Sequence, residues 1–365
     1  MSEAVMLVGT RKGLWIGRSD ADRRRWEFEG PQFEMQDVYG VGIDTRGPRP
    51  RVFAGATSGH WGPAVFHSDD LGRSWDEPPE GSITFPAETG TALKRVWQIQ
   101  PGPPNEPDVV YAGAEPSSLW RSTDGGVRFD LVRGLWDHPH RPSWTPGGGG
   151  MAIHTVLPHP DDRNRITVAM SAGGVYRTAD GGESWAASNT GIKAYFLPDP
   201  WPEFGQCVHK VAMAAGRPDQ LFAQNHHGVY RSDDGGGTWH SIADGLPSDF
   251  GFPMVAHPSE PDTVFNFPLV ADGNRIPPDA RFRVYRSTDA GKSWEALTNG
   301  LPDTPCYSLV LRDAMTADNV TGSAAGVYAG TRDGCLYASA DSGESWTEIA
   351  RHLPDILSVR VAVLP

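Results

Sequence analysis

Six segments of the chain share the pattern Ser/Thr-x-Asp-x-Gly-x-x-aromatic, with Ser or Thr before the aromatic in five of them. Their spacing constrains the fold more than any other feature. They are "HSDDLGRSW" (67–75), "RSTDGGVRF" (121–129), "RTADGGESW" (177–185), "RSDDGGGTW" (231–239), "RSTDAGKSW" (286–294) and "ASADSGESW" (338–346). The pattern proper occupies 68–75, 122–129, 178–185, 232–239, 287–294 and 339–346, and a worn seventh copy lies at 19–26. The closing aromatics fall at 26, 75, 129, 185, 239, 294 and 346. A period of roughly 50 residues marks stacked supersecondary units such as solenoids, propellers or arrays.

The strand pattern chooses among these. A short apolar strand precedes each repeat, such as "GVYR" (228–231) or "CLYA" (335–338). Before it comes a second, such as "VVYAGAE" (109–115) or "GVYAGT" (326–331), and before that a third, such as "HTVLPHP" (154–160) or "YSLVLRD" (307–313). The closing aromatic opens a fourth. Four strands with turn residues between them make an antiparallel blade. The expected fold is all-β: a single seven-bladed β-propeller of four-stranded antiparallel blades spanning residues 1–365. "LSVRVAVLP" (357–365) is expected to pair with "VMLVGT" (5–10), closing the ring and leaving no free edge.

Each residue type in the repeat has a local task. The Asp carboxylate accepts backbone N–H groups in a tight turn, the Gly supplies its backbone angles, and the Ser or Thr hydroxyl locks it. These tasks recur once per blade, so the repeat is scaffold. Function is expected where the blades differ. On these residues the chain resembles the Asp-box (BNR) repeat superfamily, which includes sialidases, xyloglucan-cleaving glycosidases, sortilin-type receptors and a photosystem assembly factor. The resemblance implies the propeller and places the boxes at the blade periphery. For activity it implies either a hydrolase or a binding scaffold.

Composition narrows the partners. Thirteen Trp supply a core, and the formal net charge of −13 with no Lys/Arg stripe argues against nucleic acid. No apolar run reaches membrane-spanning length. Cys207, Cys306 and Cys335 are odd in number and widely spaced, and the start carries no basic segment followed by a long apolar stretch. Reduced thiols and a cytoplasmic location are the expectation.

The turns between the first and second strands and the Asp boxes share one face, and both are nearly repetitive. The opposite face carries irregular links, of which 78–97, 133–154 and 190–210 are long. His154 and His209 open innermost strands in adjacent units, and Glu115 and His226 end second strands on the same face. With Glu203 from a long link they make the candidate catalytic set His154, His209, Glu115 and Glu203. The candidate ligand-binding set is His60, Arg141, Trp144, Asn225, His226, Lys210 and Arg332. Three readings stay open: histidines that only pin loops, a divalent metal on His154, His209 and His226, and metal-free acid–base chemistry. The "PGGGG" run (146–150) leads into a strand, so it is not a phosphate loop.

A sialidase binds its substrate's carboxylate with three arginines. "RIP" (275–277) lies in a late loop, and Arg11 and Arg332 offer positive charge, but no triad maps onto the chain. A general glycosidase needs two carboxylates across a cleft. The reading taken is a hydrolase-like, glycosidase-related enzyme with a His/Glu-rich site in the central funnel, acting on a small or sugar-like ligand. Its alternative is a non-catalytic scaffold that binds a peptide or protein segment on the loop-rich face.

Overall fold

The computed structural model describes residues 3–147 and 150–365, so Gly148 and Gly149 of the glycine run lie outside the described residues. In chain order, β1 (Glu3–Thr10), β2 (Gly13–Asp20) and β3 (Glu27–Gln32) come first. A sheet of β4 (Asp37–Asp44), β5 (Arg51–Ser58) and β6 (Gly62–Ser68) follows, and a lone bridge from His67 to Asp76 stands where a fourth strand would run. The next sheet holds β7 (Arg95–Pro101), β8 (Val110–Glu115), β9 (Ser118–Ser122) and β10 (Asp130–Leu131). Then come β11 (Ile153–Pro158), β12 (Ile166–Met170), β13 (Gly174–Thr178) and β14 (Ala186–Ala187). The next four are β15 (Val208–Ala214), β16 (Arg217–Asn225), β17 (Val229–Ser232) and β18 (His240–Ser241). They are followed by β19 (Phe250–Ala256), β20 (Val264–Leu269), β21 (Val284–Ser287) and β22 (Glu295–Leu297). The last are β23 (Val310–Ala317), β24 (Val327–Thr331), β25 (Leu336–Ser339), β26 (Thr347–Ala350) and β27 (Ile356–Leu364). β27 pairs antiparallel with β1 from Glu3–Leu364 inward, and one parallel bridge, Asp313 to Ser358, joins this sheet to that of β23–β26.

This is an all-β chain of meandering antiparallel sheets, the arrangement of a β-propeller. The first strands pack on one another in order, β4 on β7, β7 on β11, β11 on β15, β15 on β19, β19 on β23 and β23 on β27, and β27 also packs on β4. Sheets stacked face to face bury both sides of their strands, so β1 is buried along nearly its whole length. Towards the inner strands there is little room. Gly55, Gly113 and Gly330 occupy one position in "AG" pairs of second strands. A Cβ on Gly113 would lie 2.4 Å from the Ile153 carbonyl, and one on Gly330 would lie 2.5 Å from Ile356.

The repeated turns show why the pattern needs its residue types. At Asp234, Oδ1 accepts the Thr238 N–H at 2.9 Å and Oδ2 the Thr238 hydroxyl at 2.8 Å. Ser232 is buried, donates to Asp234 at 2.8 Å and accepts the Gly236 N–H at 2.8 Å. The same network recurs at Asp70, Asp180, Asp289 and Asp341. At Asp124 the carboxylate keeps the Ser122 hydroxyl at 2.7 Å and two backbone N–H groups, but lacks the second hydroxyl because Arg128 replaces the Ser or Thr before the aromatic. Two left-handed residues follow each Asp, for example Gly235 at φ 68° and Gly236 at φ 92°.

The Arg that opens several copies reaches the neighbouring sheet. Arg18, Arg231 and Arg286 donate to the carbonyls of Leu71, Ala290 and Ser342 in the next turn along, at 2.8–3.0 Å. In the worn copy, Ala21 replaces the Asp and Arg23 the Gly, and the Ser19 hydroxyl is buried without a partner. Arg23 instead forms a buried 2.6 Å ion pair with Asp318.

Each first strand also carries a register irregularity at its inner end. The extra residue is Tyr39 in β4, Trp97 in β7, His154 in β11, His209 in β15 and Leu357 in β27. In β19 it is the Phe252–Pro253 pair, and in β23 the irregular stretch contains Arg312. Bulges re-aim side chains out of the regular pleat. Here they deliver one residue or stretch per sheet to a common centre.

Ser232→Ala leaves the buried Gly236 N–H without its partner and removes one of the donors to Asp234 Oδ1, and is expected to lower unfolding stability by about 1–3 kcal/mol in urea titration. Ser19→Ala, where the hydroxyl has no partner, should change it by under about 0.5 kcal/mol. Hydrogen bonds from Thr238 and Ser293 hold the Asp234 and Asp289 carboxyls down to about 2. Their contribution is therefore complete above the unfolded carboxyl range and lost as pH falls from roughly 4 to 2. Urea midpoints measured across that window should drop, and drop less in Asp234→Asn/Asp289→Asn.

Candidate functional site

Six of the seven bulges supply a wall residue to a cavity of ≈ 310 Å³ on the face of the irregular loops. Its lining includes Tyr39, Trp97, His209, Phe252, Arg312 and Leu357, with Arg332, His226 and Cys207 from loop ends and with Asp272 and Arg275 from the loop between β20 and β21. A second concavity of ≈ 350 Å³ lies between sheets at the repeated turns. There Arg165 already pairs with Asp219 and Arg177 donates to the Gly235 carbonyl, so both of its guanidiniums are engaged.

Five guanidiniums line the cavity: Arg11, Arg95, Arg275, Arg312 and Arg332. Arg11 pairs with Asp37 at 3.0 Å, Arg275 with Asp272 at 2.6 Å, Arg95 with Glu115 at 3.3 Å, and Arg332 with Asp355. Among the described residues Arg312 has no carboxylate within 4.0 Å, and its Nε is buried without a hydrogen-bond partner. It lies over the Trp97 and Phe252 rings, at 5.1 and 5.9 Å from their centroids. The adjacent Asp313 has the complementary defect. Its Oδ1 takes Lys210 at 2.8 Å and Arg360 at 2.5 Å, while its Oδ2 is buried and unpartnered. Burial alone would raise the Asp313 carboxyl, but Lys210 and Arg360 outweigh it and hold it below the ordinary range.

The structure brings together some of the expected residues and separates others. His209 and His226 face the cavity with ring centroids 5.5 Å apart. His209 Nδ1 donates to the Gly251 carbonyl at 2.5 Å, leaving Nε2 as the lone-pair nitrogen. Burial, then the charge of Arg312, pushes His209 well below the ordinary histidine range, and burial lowers His226 against the opposing Asp272. Arg332 also lines the cavity.

His154 occupies the matching bulge but is fully enclosed: Nδ1 meets Thr155 Oγ1 at 3.2 Å, and Nε2 has no partner. Glu115 stands behind the wall, where Oε2 accepts the Trp97 indole N–H at 3.1 Å and pairs with Arg95, so it positions both. Lys210 ties β15 to β23 through Asp313. Asn225 holds the long link by donating to the Lys193 carbonyl at 2.9 Å.

The remaining candidates lie apart from the cavity lining. Glu203 and His60 are exposed. The Arg141 guanidinium sits 3.4 Å from the Trp136 ring centroid, and Trp144 donates to the Tyr176 hydroxyl at 2.9 Å. The 133–154 link buries its own Trp136 and Trp144, and that turns Arg141 and Trp144 away from the funnel. Sequence reasoning missed Arg312, Arg95, Asp272 and Cys207. The one available signal was a charged residue inside an apolar inner strand, as in "YSLVLRD".

No family model matches the chain. Among curated proteins it is similar to a xyloglucanase of Paenibacillus sp, with 26% identity over 292 residues covering 78% of this chain and 24% of that protein. It is also similar to a xyloglucanase of Hypocrea jecorina, with 25% identity over 328 residues covering 78% and 34%. The chain thus spans a quarter to a third of these relatives. Among solved structures it is similar to a GH74 enzyme of Niastella koreensis (TM-score 0.63, 17% identity, 93% of this chain and 54% of that one). It is also similar to YCF48 bound to D1 peptide (TM-score 0.52, 13% identity, 85% and 81%). These likenesses bear out the propeller fold.

Lys210→Met strips the buried Asp313 of one of its two cationic partners. The expected loss is up to about 3–5 kcal/mol, read as a lower urea midpoint.

Proposed function

We propose that residues 1–365 form one seven-bladed, Asp-box β-propeller, its ring closed by β27 beside β1, and that the central funnel is the working site. Its ligand is an acidic, hydroxyl-bearing small molecule of the sugar-acid kind. The observation that carries this is the unpaired Arg312. A buried guanidinium without a carboxylate is costly, and a bound anion removes that cost by a charge-assisted hydrogen bond. The neighbouring free oxygen of Asp313 suits a hydroxyl donor, and Trp97 and Phe252 present ring faces to the body of the ligand. A neutral ligand would leave Arg312 as it is.

The similarity to xyloglucanases supports a hydrolase-like, glycosidase-related activity. The chemistry differs from a two-carboxylate glycosidase, because Asp272 is paired with Arg275 and Asp313 with Lys210 and Arg360. The proton-accepting groups at the cavity are the imidazoles of His209 and His226.

One observation favours a peptide as the second reading. The large exposed apolar side chains Met35, Trp61, Tyr195, Phe196, Trp201, Val270 and Tyr307 all belong to links and loops of the funnel face, with Trp61 91% exposed. Such a rim suits a chain whose terminal carboxylate reaches Arg312.

Isothermal titration with D-glucuronate and D-glucose tests the first reading. Glucuronate alone should bind, and Arg312→Met should weaken it by roughly 10- to 100-fold. Equal binding of both sugars sinks the proposal. Peptides with free and amidated carboxyl termini, compared by fluorescence anisotropy, test the second reading: binding of the free form without glucuronate binding would replace the first.

A further inference from the structure

We propose that Cys207, His209 and His226 hold a divalent transition-metal ion of the zinc class on the funnel wall, with its remaining coordination position open to the cavity. This deepens the funnel reading, resting on its choice of cavity but not on the identity of the acid.

Three features of the geometry point to the metal. The donor atoms of the three residues lie within 4.8 Å of one another. A tetrahedral zinc with bonds of about 2.0–2.3 Å spaces its donors about 3.3–3.7 Å apart, so small side-chain rotations close the set. Strand register builds the cluster. Cys207 and His209 are two positions apart, and the His226 N–H donates to the Cys207 carbonyl at 2.9 Å, bringing the next strand's imidazole alongside. The tautomer of His209 is also set. Its Nδ1–H is spent on the Gly251 carbonyl, an outer-shell arrangement typical of metal-bound histidine, and Nε2 keeps its lone pair. Asp272 Oδ2 stands 3.9 Å from His226 Nε2, as an outer partner.

Donor chemistry selects the metal. One thiolate and two imidazoles suit zinc and its neighbours, whereas calcium and magnesium want oxygen. Three protein ligands and an open position are the pattern of a catalytic site rather than a closed structural one. Arg312 opposes a bare dication, but the thiolate cancels one of its charges. The remaining charge and Arg312 then face the cavity together, and an acid group fits between them.

The full chain is purified without tag or chelator and its metal content measured by mass spectrometry. It is then stripped by dialysis against a chelator and titrated with Co²⁺. Expected are stoichiometric zinc and, with cobalt, a near-ultraviolet thiolate-to-metal absorption. Cys207→Ser should abolish that band. His226→Gln, at a half-buried side chain that spares the inner strands, should weaken cobalt binding by more than about 100-fold. Absence of metal together with no cobalt band overturns the proposal, as does a band unchanged in Cys207→Ser. Glucuronate titration of the stripped protein keeps the two readings apart. A cobalt band without acid binding upholds the metal centre and refutes the sugar-acid ligand. Acid binding without a band does the reverse.

Discussion

The fold depends on one recurring arrangement: a carboxylate that gathers the N–H and hydroxyl groups of a tight turn. Asp234 and its equivalents do this at the outer edge of each sheet. The buried hydroxyl beside each one anchors the left-handed pair that reverses the chain. The turn is also a joint between sheets, because its left-handed residue offers a carbonyl to an arginine of the preceding sheet, as Ala290 does to Arg231. Where the carboxylate is missing, at Ala21, the joint is rebuilt from different chemistry: the buried pair of Arg23 and Asp318. The requirement is thus for a satisfied inter-sheet corner, and the motif is its commonest solution.

The inner end of the sheets obeys a different constraint. Outer turns repeat because each meets the same need, while the first strands converge where no two residues meet the same surroundings. One bulge per strand resolves the crowding and frees a side chain from the pleat. The side chains so released are unlike one another: two aromatic rings, two imidazoles, an aliphatic chain, the Phe252–Pro253 pair and a guanidinium. Below them Lys210, Asp313 and Arg360 bind three inner strands to one another with buried charges, leaving Arg312 above without a counter-ion.

What was legible in the sequence divides along the same line. Strand triplets, turn chemistry and the pairing of the last strand with the first were readable because period-two apolar runs and Asp-x-Gly turns are local signals. His209, His226 and Arg332 were reachable by aligning matching positions between repeats. The same alignment put His154 on an equal footing, and the structure encloses it. Alignment gives a position along the strand and not the depth of packing around it. Glu203, Arg141 and Trp144 were chosen because long irregular links often carry function. Those links instead form aromatic clusters of their own, such as Trp144 with Tyr176 and His140 with Phe204. Arg312 and Cys207 stayed hidden for a non-local reason. Whether an inner-strand residue faces the axis depends on a one-residue mismatch with its partner strand, and whether a thiol has histidine neighbours depends on a residue one strand away.

Unsatisfied groups therefore say more about function here than the motif that identifies the fold. The six full repeated turns are internally complete: each carboxylate has its donors and each hydroxyl its partner. The funnel is incomplete in a patterned way, with a buried donor on Arg312, a buried acceptor on Asp313 and a free imidazole nitrogen on His209 within one cavity. Folding alone would favour filling such positions with apolar residues, since a buried charge pair rarely improves on good packing. A chain that keeps them in a scaffold satisfied at six of its seven repeated corners has the polarity of a site that is completed by its ligand.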